Sequence, residues 1–384
     1  MKFNKWTVGL AAAGIVTLPS LTQAVDANMV QTAAASTTLS GYVDVAAQWN
    51  LGTGNANNPG YAYGGVGKAD GFNLNVVDLA LDKPLDETPW AAGYHVELWF
   101  GPDANTLATQ ASGTPADFAI RQAYVALRTP IGNGIDWKIG VFDTIIGYES
   151  TSVGNNPNYT RSYGYTVQPT THEGIHGTYK LCDAATFTAG VANTFGPAIG
   201  SRGPSESTKV WMLDMTLTAP KSMGWLADSS MTVGYIDGFS SGAVSGNGNV
   251  SHLYTGFTLA TPVTGLKAGF ALDYRHEHDA ANGFADTWVY GVYASYQATE
   301  KLSMHVRGEY VDDRAGIFDT SSADGPSRFF ELTYTVQYDL WKNVLSRAEV
   351  RWDHASSGPL YGGSDDAPGL RNAVMFAANL VYKF

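Results

Sequence analysis

Cysteine is almost absent from this sequence, because Cys182 is the only one among 384 residues. A single thiol excludes an internal disulfide framework, and we expect Cys182 to be a small, buried apolar side chain. Basic residues are also few, at 23 Lys and Arg against 35 Asp and Glu, which gives a net charge of −12. This acidic balance argues against a nucleic acid partner.

Long hydrophobic runs are missing beyond the N-terminus. After residue 24 no run approaches the roughly 18 apolar residues that a transmembrane helix needs. The N-terminus itself carries Lys2 and Lys5, an apolar run from Trp6 to Leu18, and small residues at Thr22 and Ala24. This pattern predicts a signal peptide over 1–24, followed by a short lead-in over 25–37.

Signs of catalysis and metal binding are sparse. There is no CxxC pair and no Walker sequence, and we attribute the spacing of His276 and His278 to chance. Two acidic pairs, at 312–313 and 365–366, could hold divalent cations near lipopolysaccharide, but solvated loop charge is the interpretation we favour. We therefore predict a protein that is not an enzyme and has no cofactor or metal site.

The C-terminal stretch over 371–384 shows what the chain has instead. One parity carries Val374, Phe376, Ala378, Leu380, Tyr382 and Phe384, and the other carries small or polar residues. Side chains alternate between the two faces of a strand, so one face is continuously apolar. The stretch is long enough to cross a bilayer as a tilted strand, which takes about 9–11 residues.

The same alternation recurs along the chain in about sixteen stretches, with long and short connections in turn. This predicts an all-β fold, a transmembrane antiparallel β-barrel over 38–384 with short periplasmic turns and long external loops. Aromatic residues near the strand ends fit interfacial girdles, namely Trp49, Trp137, Tyr274, Trp341, Trp352 and Tyr382. A secreted soluble β-protein is the alternative. As the last strand, 371–384 must pair with the first near Tyr42–Gln48 to close the sheet.

Full charges occupy the inward parity of the last strands. Burying such charges unpaired in a sandwich core would cost several kcal/mol per ion, whereas a water-filled lumen removes that cost. The inward arginines are Arg275, Arg307, Arg347 and Arg351. They can form a pore constriction with charges of the opposite sign, or a salt-bridge lattice along the wall with Glu309, Glu331, Glu349 and Asp353; the two interpretations are compatible.

The longest connection, about 143–172, is the third external loop. Loops beyond about 12–15 residues are usually functional or disordered, and its tyrosines at 159, 163 and 165 favour an ordered loop. Folded into the barrel, it would narrow the lumen, with Asp143, Glu149 and Arg161 as candidate constriction residues opposite the wall arginines. A lid or a subunit contact outside the barrel is the alternative.

We therefore predict an outer-membrane porin for passive diffusion of small hydrophilic solutes, with outer-membrane lipid and lipopolysaccharide around it and a homotrimer as its assembly. The net charge favours cations. A closed-lumen structural or adhesion barrel is the alternative, followed by an outer-membrane hydrolase.

Four strings are similar to the beta-barrel porin-2 family of Gram-negative outer membranes: DGFNLNVVDLALDKPLDE (70–87), FGPDANTL (100–107), GVFDTIIGYE (140–149) and NPNYTRSYGY (156–165). The resemblance implies an outer-membrane channel-like barrel. It supplies no catalytic residues. It also implies that the terminal Phe384 is the signal through which the outer-membrane barrel assembly machinery recognises the chain.

Overall fold

A computed structural model describes residues 37–59, 70–107, 110–111, 117–196, 198–203, 208–240, 248–278, 286–318, 327–364 and 368–384. The predicted signal peptide, the lead-in before Thr37 and the acidic pair at 365–366 lie outside these residues. In the described part of the chain, sixteen strands form one closed antiparallel barrel, which confirms the predicted fold.

The strands, numbered in chain order, are β1 (Thr38–Leu51), β2 (Gly71–Lys83), β3 (Ala92–Phe100), β4 (Gln110–Ala111), β5 (Phe118–Thr129), β6 (Ile135–Asp143), β7 (Thr171–Cys182), β8 (Ala185–Ala192), β9 (Ala198–Ile199), β10 (Val210–Thr218), β11 (Ser230–Phe239), β12 (Asn249–Ala260), β13 (Leu266–Glu277), β14 (Asp286–Gln297), β15 (Leu302–Asp313), β16 (Ser327–Trp341), β17 (Val344–Ala355) and β18 (Asn372–Lys383). The short strands β4 and β9 pair only with each other. The helices are α1 (Asp103–Thr106), α2 (Tyr163–Val167) and two 3-10 turns, Val153–Asn155 and Lys221–Leu226.

Alternation along each strand sorts the side chains into a lipid face and an inner face. In β18, Phe376 and Leu380 are exposed, whereas Met375 and Val381 of the other parity are buried. No helix among the described residues is long and apolar enough to cross a membrane.

The first and last strands close the barrel as the sequence predicts. Strand β18 pairs with β1 in a register that places Asp44 opposite Val381 and Gln48 opposite Ala377. Beyond the last strand, the Phe384 N–H donates to the carbonyl of Gly41 at 3.0 Å, and the Gly41 N–H donates to the Phe384 carbonyl at 3.1 Å.

The two ends of the barrel differ in the length of their connections. Short turns such as 183–184 and 342–343 lie at one end, and long loops such as 144–170 and 356–371 lie at the other. Outer-membrane barrels place the long loops outside the cell, so this end is the external one. Aromatic side chains lie near both ends: Trp49, Tyr274 and Trp352 at the external end, and Trp137, Trp341 and Tyr382 at the other.

Two local expectations are wrong. Cys182 is exposed rather than buried, because it ends β7 at the tight turn into β8. In β6 the alternation of the sequence groups Val141 with Ile135, Trp137 and Ile139 as lipid-facing side chains, but Val141 is buried at 6% exposure. The pairing of β5 with β3 shifts its register between Glu97 and Leu98. The shift leaves Arg121 as an extra residue, which is how a β-bulge turns neighbouring side chains to the same face.

Candidate functional site

The connection between β6 and β7, residues 144–170, is the candidate functional site and is called loop 3 below. Of its residues only Asn155 is exposed. An external loop that covers the barrel from outside would expose one side to water. The other residues of loop 3 are buried or half-buried, so we expect loop 3 to pack against the inner face, and its individual contacts agree.

Two wall carboxylates hold the backbone of loop 3. Glu349 of β17 accepts hydrogen bonds from the N–H groups of Tyr159 and Thr160, at 2.6 and 2.9 Å. Glu309 of β15 accepts from Tyr163 and Gly164 at the start of α2, at 2.8 and 3.0 Å. Charge-assisted bonds of this kind are about twice as strong as neutral ones. Because they bind backbone N–H groups, they fix the path of the loop and not only the position of one side chain.

Wall cations bind the other half of the loop backbone, its carbonyl groups. Arg307 donates to the Thr160 carbonyl at 2.8 Å, Arg351 to the Arg161 carbonyl at 2.6 Å and Arg275 to the Val167 carbonyl at 3.2 Å. Arg347 donates to the carbonyls of Val153, at 3.1 Å, and Asn156. The planar guanidinium can serve several acceptors at once, which suits it to bracing an irregular loop.

Loop 3 reaches deep into the barrel. Its Val167 contacts Arg275 close to the external end of β13. Its Gly154 accepts a hydrogen bond at 3.0 Å from Lys383, the last residue of β18 at the opposite end. The loop therefore follows the inner wall over most of the height of the barrel.

Arg307 is the centre of the charge arrangement. It forms ion pairs with Glu149 of loop 3 at 2.8 Å, with Glu331 of β16 at 3.2 Å and with Glu309 at 3.8 Å. Arg351 continues the series to Asp353 at 2.8 Å. The side chains of Arg307 and Arg351 are 0% exposed. The salt-bridge lattice is present, but loop 3 covers it, so the expectation that lumen water solvates these inward charges is wrong.

The remaining predicted constriction residues have different surroundings. Arg161 is buried and donates to the Thr151 carbonyl at 2.5 Å, with its guanidinium 5.5 Å from the centre of the Tyr165 ring. It braces loop 3 internally. Asp143 accepts two hydrogen bonds from Arg121, and its own side chain stays 41% exposed. Sequence reasoning missed Arg121, because the β-bulge hides its inward position in the alternation.

Aromatic packing adds to the polar anchors. Tyr148 of loop 3 stacks on Tyr293 of β14 with ring centroids 3.9 Å apart. The ring of Tyr163 packs against those of Phe318 and Phe329, with centroids 5.0 and 5.8 Å away. Burial raises the pKa of the Tyr148 phenol to about 12, so this group stays neutral at physiological pH and can serve as a hydrogen-bond donor.

The inner face near the short-turn ends of β2 to β6 is different, and we call it the exposed wall; further along the same strands Asp78, Glu97 and Arg121 are buried. The exposed wall carries charged side chains that reach solvent: Asp82 is 37% exposed and Asp136 of β6 is 44% exposed. Their partners are His95, 3.0 Å from Asp82, and Arg128, 2.8 Å from Asp136. Lys138 lies beside them, 4.7 Å from the centre of the Tyr124 ring. We call the inner face of β13 to β18, which carries loop 3, the anchoring wall.

Two short strings match catalytic patterns without the fold that those patterns need. HEGIH at 172–176 resembles the H-E-x-x-H zinc pattern, which requires a helix, but here it lies on β7. His172 and His176 are then about 13 Å apart along the strand. GFSSG at 238–242 resembles a nucleophile elbow, yet its Gly238 belongs to the antiparallel strand β11. Among the described residues, no three His, Cys, Asp or Glu side chains are grouped to hold a metal ion.

Other sequence candidates also have ordinary structural surroundings. His276 contacts Asp286 at 2.7 Å, and His278 contacts Ser251 at 2.6 Å. Asp313 accepts three backbone N–H groups of the loop after β15, from Gly316, Ile317 and Phe318. Phe384 is 43% exposed next to β1.

Comparison with known proteins places the chain in a family. The sequence profile of "Putative beta-barrel porin-2, OmpL-like" matches residues 36–384, and no relative is found among curated protein sequences. The chain belongs to this porin family, and it is an outer-membrane protein.

Three solved structures show the same fold. The outer membrane channel DcaP of Acinetobacter baumannii has a TM-score of 0.59 at 14% identity, covering 91% of this chain and 97% of its own. The trimer form of OmpT from Vibrio cholerae has a TM-score of 0.55 at 13% identity, with 91% and 99% coverage. An anion-selective porin from Comamonas acidovorans has a TM-score of 0.58 at 13% identity, with 91% and 99% coverage.

Proposed function

We propose that this outer-membrane porin passes small hydrophilic solutes by passive diffusion, and that loop 3 narrows the channel from within. The observation that carries the proposal is the fastening of loop 3 by its backbone, through Glu309, Glu349 and Arg307, to the anchoring wall. A loop held at so many points acts as a fixed part of the channel cross-section, and a fixed cross-section sets a size limit for solutes.

The path for solutes then runs along the exposed wall. Charged side chains that reach solvent lie there and beside it, at Asp82, Asp136 and Asp143, with 37%, 44% and 41% exposure. Their partners are less exposed, at 17% for His95 and 22% for Arg128. Together with the net charge of −12, this imbalance favours cations over anions, because exposed charges act on passing ions more strongly than paired, buried ones.

Single-channel recording in planar lipid bilayers tests this function. The purified chain should give open channels of stable conductance, and a polymer-exclusion series should show one size limit. A barrel that inserts but stays electrically silent would instead support a closed-lumen structural or adhesion protein. The packing of loop 3 against a second side of the barrel supports this alternative, because Ile146 lies in an apolar cluster with Phe142, Met212 and Ile236.

For assembly we propose a homotrimer, supported by the trimer form of the structurally similar OmpT. Mass determination of the detergent-solubilised protein tests the number of subunits; a monomer at all concentrations argues against it.

We also propose that Phe384 is the signal for the barrel assembly machinery. Its ring is exposed and its backbone bonds to Gly41 of β1, so it lies at the closure of the barrel. Deleting Phe384 should lower the amount of barrel in the outer membrane without changing the conductance of the barrels that insert. An unchanged amount of barrel in the outer membrane would show that Phe384 is not the assembly signal.

A further inference from the structure

One cation of the exposed wall, Lys138 of β6, has no carboxylate partner. Its neighbour Ile139 is a lipid-facing side chain with 41% exposure, so Lys138, of the opposite parity, faces the lumen. Arg128 and Arg307 pair with carboxylates at 2.8 Å, whereas Lys138 forms no ion pair among the described residues. Its ammonium group lies 4.7 Å from the centre of the Tyr124 ring. Lys138 can therefore take an anionic partner from the lumen.

His176 of β7 lies directly opposite Lys138 in the register of the two strands. Side chains in such positions have Cβ atoms about 4.5–5.5 Å apart, so the imidazole and the ammonium group are neighbours on the inner face. His176 is 7% exposed, and its Nδ1 has no hydrogen-bond partner among the described residues. Buried polar atoms are nearly always hydrogen-bonded in folded proteins, so Nδ1 can serve a ligand that Lys138 holds.

The next register pair toward the short turns, Asp136 with Thr178, has the opposite chemistry. Asp136 lies two residues from Lys138, about 7 Å along the strand. Its carboxylate stays 44% exposed although Arg128 pairs with it, and a carboxylate has about four lone-pair sites, so acceptors remain for a further donor. The Thr178 hydroxyl lies 3.1 Å from that of Thr188. A site for a cationic group thus adjoins the site for an anionic group.

We propose that these two register pairs bind a small zwitterion of the α-amino acid class. The solute carboxylate binds Lys138 and His176, and the solute ammonium group binds Asp136 and Thr178. One carbon separates the two charged groups of an α-amino acid. With one contact of about 2.8 Å at each end, the molecule bridges two positions about 7 Å apart along the strand.

The same arrangement disfavours solutes with a single kind of charge. The second carboxylate of a dicarboxylic acid would meet Asp136, and the ammonium group of a simple amine would meet Lys138. Because the site lies on the proposed solute path, it rests on that proposed function and defines a class of solute for it.

L-Alanine, acetate and ethylammonium are the probes for this site. All three have a methyl group, and acetate and ethylammonium each carry only one of the two charges. Saturation-transfer NMR on the folded full chain in detergent measures their relative affinities, and heat-modifiable gel migration confirms the folded barrel. We expect L-alanine to bind about tenfold more tightly than either single-charge probe, because it makes both charge-assisted contacts.

Four variants separate the two halves of the site. Lys138→Gln should weaken binding of L-alanine and acetate by about tenfold, through the loss of one charge-assisted contact, and leave ethylammonium unchanged. Asp136→Asn should weaken L-alanine and ethylammonium and leave acetate unchanged. Lys138→Arg keeps the charge and should retain L-alanine binding. The matched control is Lys180→Gln, which removes a 60% exposed cation near the end of β7 and should bind like the wild type. If Lys138→Gln does not fold, Lys138→Met, which keeps the apolar stem, takes its place.

Equal L-alanine binding by the wild type and Lys138→Gln would overturn the proposed site, as would an equal loss in Lys180→Gln. Displacement of L-alanine by an equal concentration of inorganic phosphate would show a general anion site and overturn the amino-acid class. Glycerol flux into liposomes that contain the same variants tests the channel separately. Normal glycerol flux without preference for L-alanine overturns the site alone, whereas the predicted L-alanine binding without glycerol flux supports the site and contradicts passive diffusion.

Discussion

Arg307 and Arg128 both lie on the inner face of the barrel and both pair with carboxylates, but their surroundings differ. Arg307 is fully buried between Glu149, Glu331 and Glu309 beneath loop 3. Arg128 is 22% exposed and pairs with an Asp136 that is 44% exposed. The charges of the anchoring wall thus hold loop 3, whereas those of the exposed wall stay open to water. The same residue types on the same face of a barrel therefore serve different purposes, and burial distinguishes them.

The largest effect is expected from Arg307→Ala. It leaves three carboxylates without their central cation, and removing one partner of a buried ion pair costs about 3–5 kcal/mol. Loop 3 should detach from the anchoring wall, so that trypsin cuts after the otherwise buried Arg161 and channel current becomes larger and noisier. The control is Arg128→Ala, which breaks an exposed pair worth about 0–1 kcal/mol and should leave Arg161 protected. Equal protection of Arg161 in both variants would contradict the anchoring role.

A smaller effect is expected from Glu349→Gln. The amide keeps the shape of the side chain, but the hydrogen bonds from Tyr159 and Thr160 lose their charged acceptor, and bonds to charged groups contribute roughly 1.5–3 kcal/mol. Amide hydrogen exchange at Tyr159 and Thr160 should accelerate. Asp136→Asn on the exposed wall is the matched change and should leave both amides as slow as in the wild type. If both variants exchange alike, Glu349 does not hold the loop.

The smallest effect is expected from Asp82→Asn combined with Asp136→Asn. Cation preference should fall, by less than about fivefold, because a unit charge 4 Å from an ion in water contributes only about 1 kcal/mol. Reversal potentials in a salt gradient measure this change, while single-channel conductance and trypsin resistance stay constant. Asp183→Asn, at an exposed short turn, controls for general surface charge. An equal loss of cation preference in that control would show that the exposed wall does not determine ion selectivity.

The alternating pattern carries most of the fold. Lipid requires an apolar side chain at every second position of every strand, so the strands, their order and the pairing of β18 with β1 follow from the sequence. The pattern states which face a side chain occupies, and it places Arg307, Arg347 and Arg351 on the inner face correctly. The pattern does not show which residues contact these arginines inside the barrel. That depends on loop 3, whose Thr160 contacts a glutamate 189 positions away.

Two further points could not be read from spacing alone. The β-bulge in β5 hides Arg121, so the partner of Asp143 is not evident from spacing. The HEGIH sequence matches a zinc-binding pattern, but the structure places it in strand β7, where the two histidines are too far apart to bind one metal ion.

The central claim is that solutes pass along the exposed wall and not between loop 3 and the anchoring wall. It is tested most directly by thiol modification during current recording, in a Cys182→Ala background that removes the exposed native thiol. Asp82→Cys places a thiol on the exposed wall, and Thr333→Cys places one on the anchoring wall beside Arg307 at 3.2 Å. We predict that a positively charged methanethiosulfonate reagent lowers the current through Asp82→Cys channels and leaves Thr333→Cys channels unchanged. Block at Thr333→Cys with no effect at Asp82→Cys would contradict the account.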